Sequence, residues 1–288
     1  MILPEFEYLA PRSLGEACRL AKEYGAQARV MAGGTDLIVA MKENVLSPAY
    51  VIDLKGISGL DFLHYDEQEG LRIGALTKLR AIEKSELVKM KLKAVSDAAH
   101  YVASTQVRAK GTMAGNIVNA SPSADTAPIL LAMRAKVGVA GTEGRRVIPM
   151  EDCYAGFKKT SLLPGEIVTE IAVPPLRKNQ RAAYIKHAVR KAMDLAIVGA
   201  AAVVTVEDGI CSEARITLGA VAATVLESRA AEAELVGRPL TDDVIARAAE
   251  AAMDECSPIS DVRASAEYRR DMVRVFTKRA IKKALGEL

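Results

Sequence analysis

Tryptophan is absent from the 288 residues, and Phe contributes only 4 and Tyr 8. So few aromatic faces argue against a surface built to stack nucleic-acid bases. Cysteine is scarce as well: Cys18, Cys153, Cys211 and Cys256 lie far apart, and no two form a CxxC pair. That spacing provides neither a zinc site nor an iron–sulfur cluster carried by this chain alone, so the cysteines read as buried structural thiols. His64, His100 and His187 are too dispersed for a metal centre, and no Ser/His/Asp triad can be assembled around them. No other residue stands out as catalytic. Long apolar runs are missing too. The best stretch, Leu195 to Val206, falls well short of the ~20 residues a membrane span requires. The opening Met1-Ile2-Leu3-Pro4-Glu5 has no basic segment leading into an apolar one, so no secretion signal is expected and the cytoplasm is the expected location.

What remains is an ordinary globular composition, half hydrophobic and 26% charged, with a net charge of +3 spread along the chain. Lys278, Arg279, Lys282 and Lys283 concentrate positive charge near the end. On a predicted helix they read as a solvated face before a nucleic-acid patch. At ~150 residues per domain, the length suggests two or three units.

The opening reads as strand, helix, strand. Ser13 and Glu16 form a capping box and Gly25 ends the helix, with strands expected at Ala28–Met31 and Tyr50–Leu54. Residues 1–55 therefore form one α/β unit. Residues 56–175 look α+β with antiparallel pairing: a strand over Leu71–Ala75, an amphipathic helix over about Ser85–Val102 and a glycine-rich loop over Lys110–Asn119. A hairpin at Val137–Ala140 and Arg146–Pro149 and a strand over Ile167–Val173 follow. Pro174-Pro175-Leu176-Arg177-Lys178-Asn179 is the clearest linker. In 176–288, strands at Val198–Val206 and Ala214–Val221 flank the turn pair Asp208-Gly209, and helices are expected over Thr241–Glu255 and about Ser265–Leu285.

Two glycine-bearing loops are candidates for chemistry. Ala32-Gly33-Gly34-Thr35-Asp36-Leu37 follows a strand, where glycines let backbone N–H groups approach a diphosphate and Thr35 adds a hydroxyl. The spacing is neither GxGxxG nor GxxxxGK[ST], so a Rossmann fingerprint and a P-loop are excluded. A tight structural turn explains this loop equally well. Gly111-Thr112-Met113-Ala114-Gly115-Asn116-Ile117 is the second, again with small residues and with polar Thr112 and Asn116. Asp125 precedes an apolar run, where it either caps a helix or binds the hydroxyls of a ligand.

Together the loops resemble the two FAD loops of the molybdenum hydroxylase flavoproteins, which include the aerobic carbon monoxide dehydrogenase medium subunit and the xanthine dehydrogenase flavin domain. The similarity continues through Gln106-Val107-Arg108, Gly165-Glu166-Ile167, Arg190 to Ala196 and the Asp261–Arg269 segment. It covers essentially the whole chain in order.

The resemblance implies an α+β, vanillyl-oxidase-type (PCMH-type) fold, with two FAD-binding subdomains and a C-terminal α+β domain. It implies an oxidoreductase subunit with non-covalent FAD, since neither loop holds a histidine for attachment. By carry-over, Val30, Met31, Ala32, Gly33, Gly34, Thr35, Asp36 and Leu37 wrap the diphosphate together with Thr112, Met113, Ala114, Gly115 and Asn116. Asp125 meets the ribityl region, Leu162 the isoalloxazine ring and Lys186 its polar edge, while Val102 makes an apolar contact. Without the resemblance, Leu162 reads as core and Lys186 as an exposed strand residue. Ala114 stands where the family has glycine.

Molybdopterin is expected on a large partner subunit and two [2Fe–2S] clusters on a small one. FAD would collect their electrons and discharge them to NAD, a quinone or another acceptor. A branch of the family carries an additional cluster in a cysteine-rich insertion, and no such insertion is present. Two other readings remain: a stand-alone flavoenzyme of the same fold, such as a UDP-sugar enoyl reductase, and a structural subunit without flavin.

Overall fold

The computed structural model describes residues 3–287. Its N-terminal elements are β1 (Glu7–Leu9), α1 (Leu14–Tyr24), β2 (Ala28–Met31), α2 (Leu37–Lys42) and β3 (Tyr50–Asp53). The three strands form a parallel sheet in the order β1-β3-β2. Ser13 accepts a bond from the Glu16 N–H, while the Glu16 carboxylate turns back to the Arg12 N–H rather than to Ser13 itself. Gly25 closes α1 at a φ of +48°, a conformation that glycine reaches without a Cβ clash. Ala17, Cys18 and Ala21 of α1 are buried together with Ile52 of β3.

The middle elements begin with β4 (Leu63–Asp66), β5 (Gly70–Gly74), α3 (Leu79–Lys84), α4 (Glu86–Lys91) and α5 (Lys93–Tyr101). They continue with α6 (Thr105–Arg108), α7 (Met113–Val118), α8 (Thr126–Ala132), β6 (Lys136–Gly141) and β7 (Gly144–Pro149). The short hairpin β8 (Tyr154–Gly156) and β9 (Lys159–Thr160) precedes β10 (Ile167–Val173). The sheet, ordered β4-β5-β10-β6-β7, is antiparallel throughout.

Two expectations need correcting here. The helix expected over Ser85–Val102 is two helices, because Leu92 (φ −141°, ψ 56°) leaves helical geometry and buries its side chain. Apolar spacing is unchanged across that break, so periodicity does not reveal it. The expected loop over Lys110–Asn119 contains α7, whose N-terminus is capped by the Thr112 hydroxyl accepting from the Gly115 N–H at 3.0 Å.

The C-terminal sheet consists of β11 (Gln180–His187), β12 (Val198–Glu207), β13 (Ile210–Gly219) and β14 (Leu226–Glu227) in chain order. Asp208 and Gly209, at φ +51° and +79°, make the β12–β13 turn, so β13 begins four residues before the expected Ala214. Three helices follow: α9 (Arg229–Leu235), α10 (Asp242–Glu255) and α11 (Ala266–Leu285). Thr241 and Ser265 cap the last two. Along β12, Ala201 and Val203 pack into the middle core, whereas Ala200, Ala202 and Val204 face α11 in a second core that also includes α10. Burial on both faces explains the continuous apolar run.

Glu83 of α3 ties the middle helices together. Its buried carboxylate takes Arg108 Nε at 2.9 Å, His100 Nδ1 at 2.9 Å and Arg80 at 3.2 Å. Burial pushes this acid up, but the bonds from His100, Arg108 and Arg80 outweigh it and leave it at about 2. Its contribution to stability is present above about 4.5, the value expected when unfolded, and is lost as pH falls from there toward 2. Glu83→Gln should cost about 3 kcal/mol at neutral pH by leaving Arg108 buried without its counter-charge. It should also flatten the dependence of stability on pH over that acid window, measured by urea unfolding at several pH values.

Candidate functional site

The first glycine loop leaves the carboxyl end of β2, and Lys55 to Ser58 leave the carboxyl end of the parallel neighbour β3. Ligands of α/β sheets collect at such strand ends. The second loop is pressed directly onto the first. A Cβ at Gly33 would lie 2.2 Å from the Lys110 carbonyl oxygen and 2.8 Å from the Gly111 Cα, so only glycine fits this contact. Gly34 adopts φ +70°. Asn119 Nδ2 donates to Asp36 Oδ1 at 3.1 Å, adding a bond between the two segments. On its other side the second loop is anchored by Leu79 N–H donating to the Gly111 carbonyl at 2.9 Å.

Between the loops lies a cavity of about 240 Å³, lined by Ala32, Gly33 and Thr112 and by Lys55, Lys78 and Lys110. Three ammonium groups against the single carboxylate of Asp61 make its rim cationic. Among the described residues, the backbone N–H groups of Gly33, Thr35 and Ala114 have no hydrogen-bond acceptor, whereas the bridge between Lys78 and Thr112 engages the Met113 N–H. Unused donors, a cationic rim and a side-chain-free contact are what a diphosphate requires.

Val30 and Met31 end β2, and Leu37 opens α2. Met113 and Ala114 are 0% and 4% exposed, so they offer a ligand only their backbone. The Ala114 methyl belongs to the core, which explains why alanine is tolerated there. Burial raises the Asp36 carboxyl, against the opposing pull of Lys158 and a bond from Thr35. Lys158 lies in the β8–β9 turn, four residues before Leu162. Leu162 is half-buried against the middle core.

A second group forms around Asp125. Although it precedes α8, its side chain does not cap that helix. One carboxylate oxygen accepts from the Tyr184 hydroxyl and the other from Lys186 Nζ, each at 2.9 Å. Burial pushes Asp125 up to about 6, against the lowering effects of Lys186 and Tyr184. Lys186 is therefore not the exposed strand residue that its sequence neighbourhood allows, since its side chain is 6% exposed. It also donates to the carbonyl of Tyr101, next to the buried Val102. Asn116 of the second loop accepts from Thr126 at 2.6 Å, connecting this group to the glycine loops.

Sequence reasoning missed Lys55, Lys78, Lys110 and Tyr184. The position of Lys55 just beyond a parallel strand was an available signal. Lys110 opens the glycine-rich segment already singled out, whereas nothing local marked Lys78 and Tyr184.

Residues 4–176 match the family described as the FAD binding domain in molybdopterin dehydrogenase, and residues 183–284 match the CO dehydrogenase flavoprotein C-terminal domain. The 6-hydroxypseudooxynicotine dehydrogenase complex subunit alpha of Paenarthrobacter nicotinovorans is 34% identical over 98% of this chain and 95% of its own length. The carbon monoxide dehydrogenase medium chain of Hydrogenophaga pseudoflava is 34% identical over 99% of this chain and 98% of its own. A solved structure of carbon monoxide dehydrogenase from that organism, lacking the Mo-pyranopterin moiety of its molybdenum cofactor, superposes with a TM-score of 0.96 at 35% identity. The match covers 100% of this chain and 99% of that one.

Gly33→Ala should cost about 1–3 kcal/mol because the added methyl must displace backbone. Gly15→Ala, in α1 with no atom within 4 Å of the new methyl, should instead gain about 0.5–1 kcal/mol. Urea unfolding of the two variants beside the parent checks the opposite signs.

Proposed function

The chain belongs to the FAD-binding medium subunits of the molybdenum hydroxylase family, and from that premise we propose how it holds and uses the flavin. Val30 to Leu37 and Thr112 to Asn116 embrace the FAD diphosphate, with backbone N–H groups as the main donors. Lys55, Lys78 and Lys110 supply the positive field. Val102, Asp125, Leu162 and Lys186 border the ribityl chain and isoalloxazine ring. The flavin is held without a covalent bond. The direct packing of Gly33 on Lys110 carries this reading, because it makes a single cradle of two loops that would otherwise be ordinary turns.

When bound, FAD supplies a ring able to take up and release electrons singly or in pairs. The residues around it bind, orient and neutralise charge, so no acid–base pair is required. The three larger sheets support a division into 1–55, 56–175 and 176–288. The chain receives electrons from [2Fe–2S] clusters on a small partner, while a large partner carries molybdopterin and the organic chemistry. It passes them to NAD, a quinone or another acceptor. Names such as "complex subunit alpha" and "medium chain" among the relatives support an assembly of this kind. No helix among the described residues is long and apolar enough to cross a membrane. Four buried free thiols fit a reducing cytoplasm.

Purification from the native host should give a coloured complex of three kinds of chain with flavin and iron–sulfur absorbance. A lone polypeptide that oxidises NADPH would contradict the assignment. Replacing both Lys55 and Lys110 by Met should weaken FAD binding about tenfold, as expected for two solvent-exposed charge contacts. It should also reduce the salt dependence of binding, measured by flavin fluorescence.

A further inference from the structure

Lys186 has three N–H donors, and the chain itself uses all of them. They go to the Asp125 carboxylate at 2.9 Å, the Tyr101 carbonyl at 3.1 Å and the Asp194 carbonyl at 2.8 Å. An ammonium saturated in this way has no donor left for a ligand. Its three acceptors come from three places: the end of α5, the start of α8 and the 188–196 loop after β11. Beside it, Tyr184 is fully buried and donates a hydrogen bond from its hydroxyl to the second oxygen of Asp125. Even the neighbouring strand accommodates this hydroxyl: a Cβ at Gly199 would lie 2.8 Å from it.

The loop needs such an anchor. Val189, Met193 and Leu195 are 68%, 58% and 47% exposed, so little apolar burial holds them. Met193 (φ +57°) donates its N–H to the carbonyl of Ala103 (φ +44°) at 3.1 Å, joining two left-handed non-glycine residues. Left-handed backbone at such residues costs roughly 1–2 kcal/mol each and persists only when surrounding contacts enforce it. The Lys186 bonds to Tyr101 and Asp194 lie at either end of this contact. A buried ion pair adds little net stability compared with apolar residues of the same volume, so its presence here is better explained by geometry.

We propose that Tyr184 and Lys186 are positioning residues that act through Asp125 to hold the 101–103 turn and the 188–196 loop together as one wall of the flavin site. Tyr184 orients the carboxylate, the carboxylate orients the ammonium, and the ammonium fixes two backbone carbonyls. Burial first, then the adjacent carboxylate, keep the Tyr184 hydroxyl protonated far above its ordinary range, so it stays a donor at any physiological pH. The flavin part of this inference rests on the function proposed above, while the loop anchor does not.

The test uses the FAD-loaded full chain in its purified complex, with Tyr184→Phe and Asp125→Asn. Four readouts are needed: the FAD dissociation rate, the visible circular dichroism of the bound flavin, the rate of tryptic cleavage after the exposed Arg190 and Lys191, and the melting temperature. Both variants should release FAD at least about tenfold faster, the low end expected for one lost hydrogen bond to a charged group. Cleavage in the loop should accelerate by a similar factor and the flavin dichroism should change, with the melting temperature of Tyr184→Phe within ~3 °C of the parent. Unchanged dissociation and cleavage in both variants would overturn the proposal. So would acceleration in Tyr184→Phe that merely follows a matching fall in its melting temperature, which would make the group ordinary core. Should the parent chain take up no FAD, the flavin reading fails, and the cleavage rates still decide whether the loop is anchored as described.

Discussion

The contact of Gly33 with the backbone of Lys110 and Gly111 is the constraint on which the site depends. It joins two loops some eighty residues apart, one from a parallel sheet and the other from the helical layer of an antiparallel one. Neither loop is a site alone. The first has free donors at the end of a strand, and the second presents the start of a short helix that Thr112 already caps. Pressed together, they border a cationic cavity, with the unused N–H of Gly33 on its wall and that of Ala114 in the adjoining helix start. The N-terminal unit reaches this position because α1 and β3 share apolar burial with Ala140 and Ile167 of the neighbouring sheet.

Apolar packing and buried charge have different roles in this chain. The middle and C-terminal sheets are joined by Tyr184, Ala201 and Val203, which enter the middle core. Burial of that kind is strong but indifferent to small shifts of backbone. Ion pairs do the locating. Glu83 with Arg108 fixes α3 against α6, and Arg108 also holds the Val102 carbonyl at 2.9 Å. Asp125 with Lys186 fixes the opposite side of the same turn through Tyr101. The segment carrying Val102 is thus held from both directions by buried charges whose partners lie on different elements.

Much of this fold was legible because local signals agreed with the tertiary outcome. Ala28–Met31 and Ile167–Val173 form strands over the residues expected, bounded by turn residues on each side. Thr241 and Ser265 cap the two last helices as their side chains indicate. What remained hidden depends on distant contacts. A strand at Lys186 was expected, but its span, Gln180–His187, and its buried face are defined by pairing with β12. The break at Leu92 preserves apolar spacing, and α7 was obscured by glycines that suggested a loop. The two glycine loops were visible as sequences, whereas their mutual contact was not. The partners of Asp125 lie 59 and 61 residues away, which no spacing rule connects.

Amide hydrogen exchange with and without FAD tests the central claim most directly. A shared cradle predicts slower exchange at Gly33 to Asp36 and at Thr112 to Gly115 together, with the same dependence on FAD concentration. Protection of only one loop, or of neither while FAD is demonstrably bound, would contradict it.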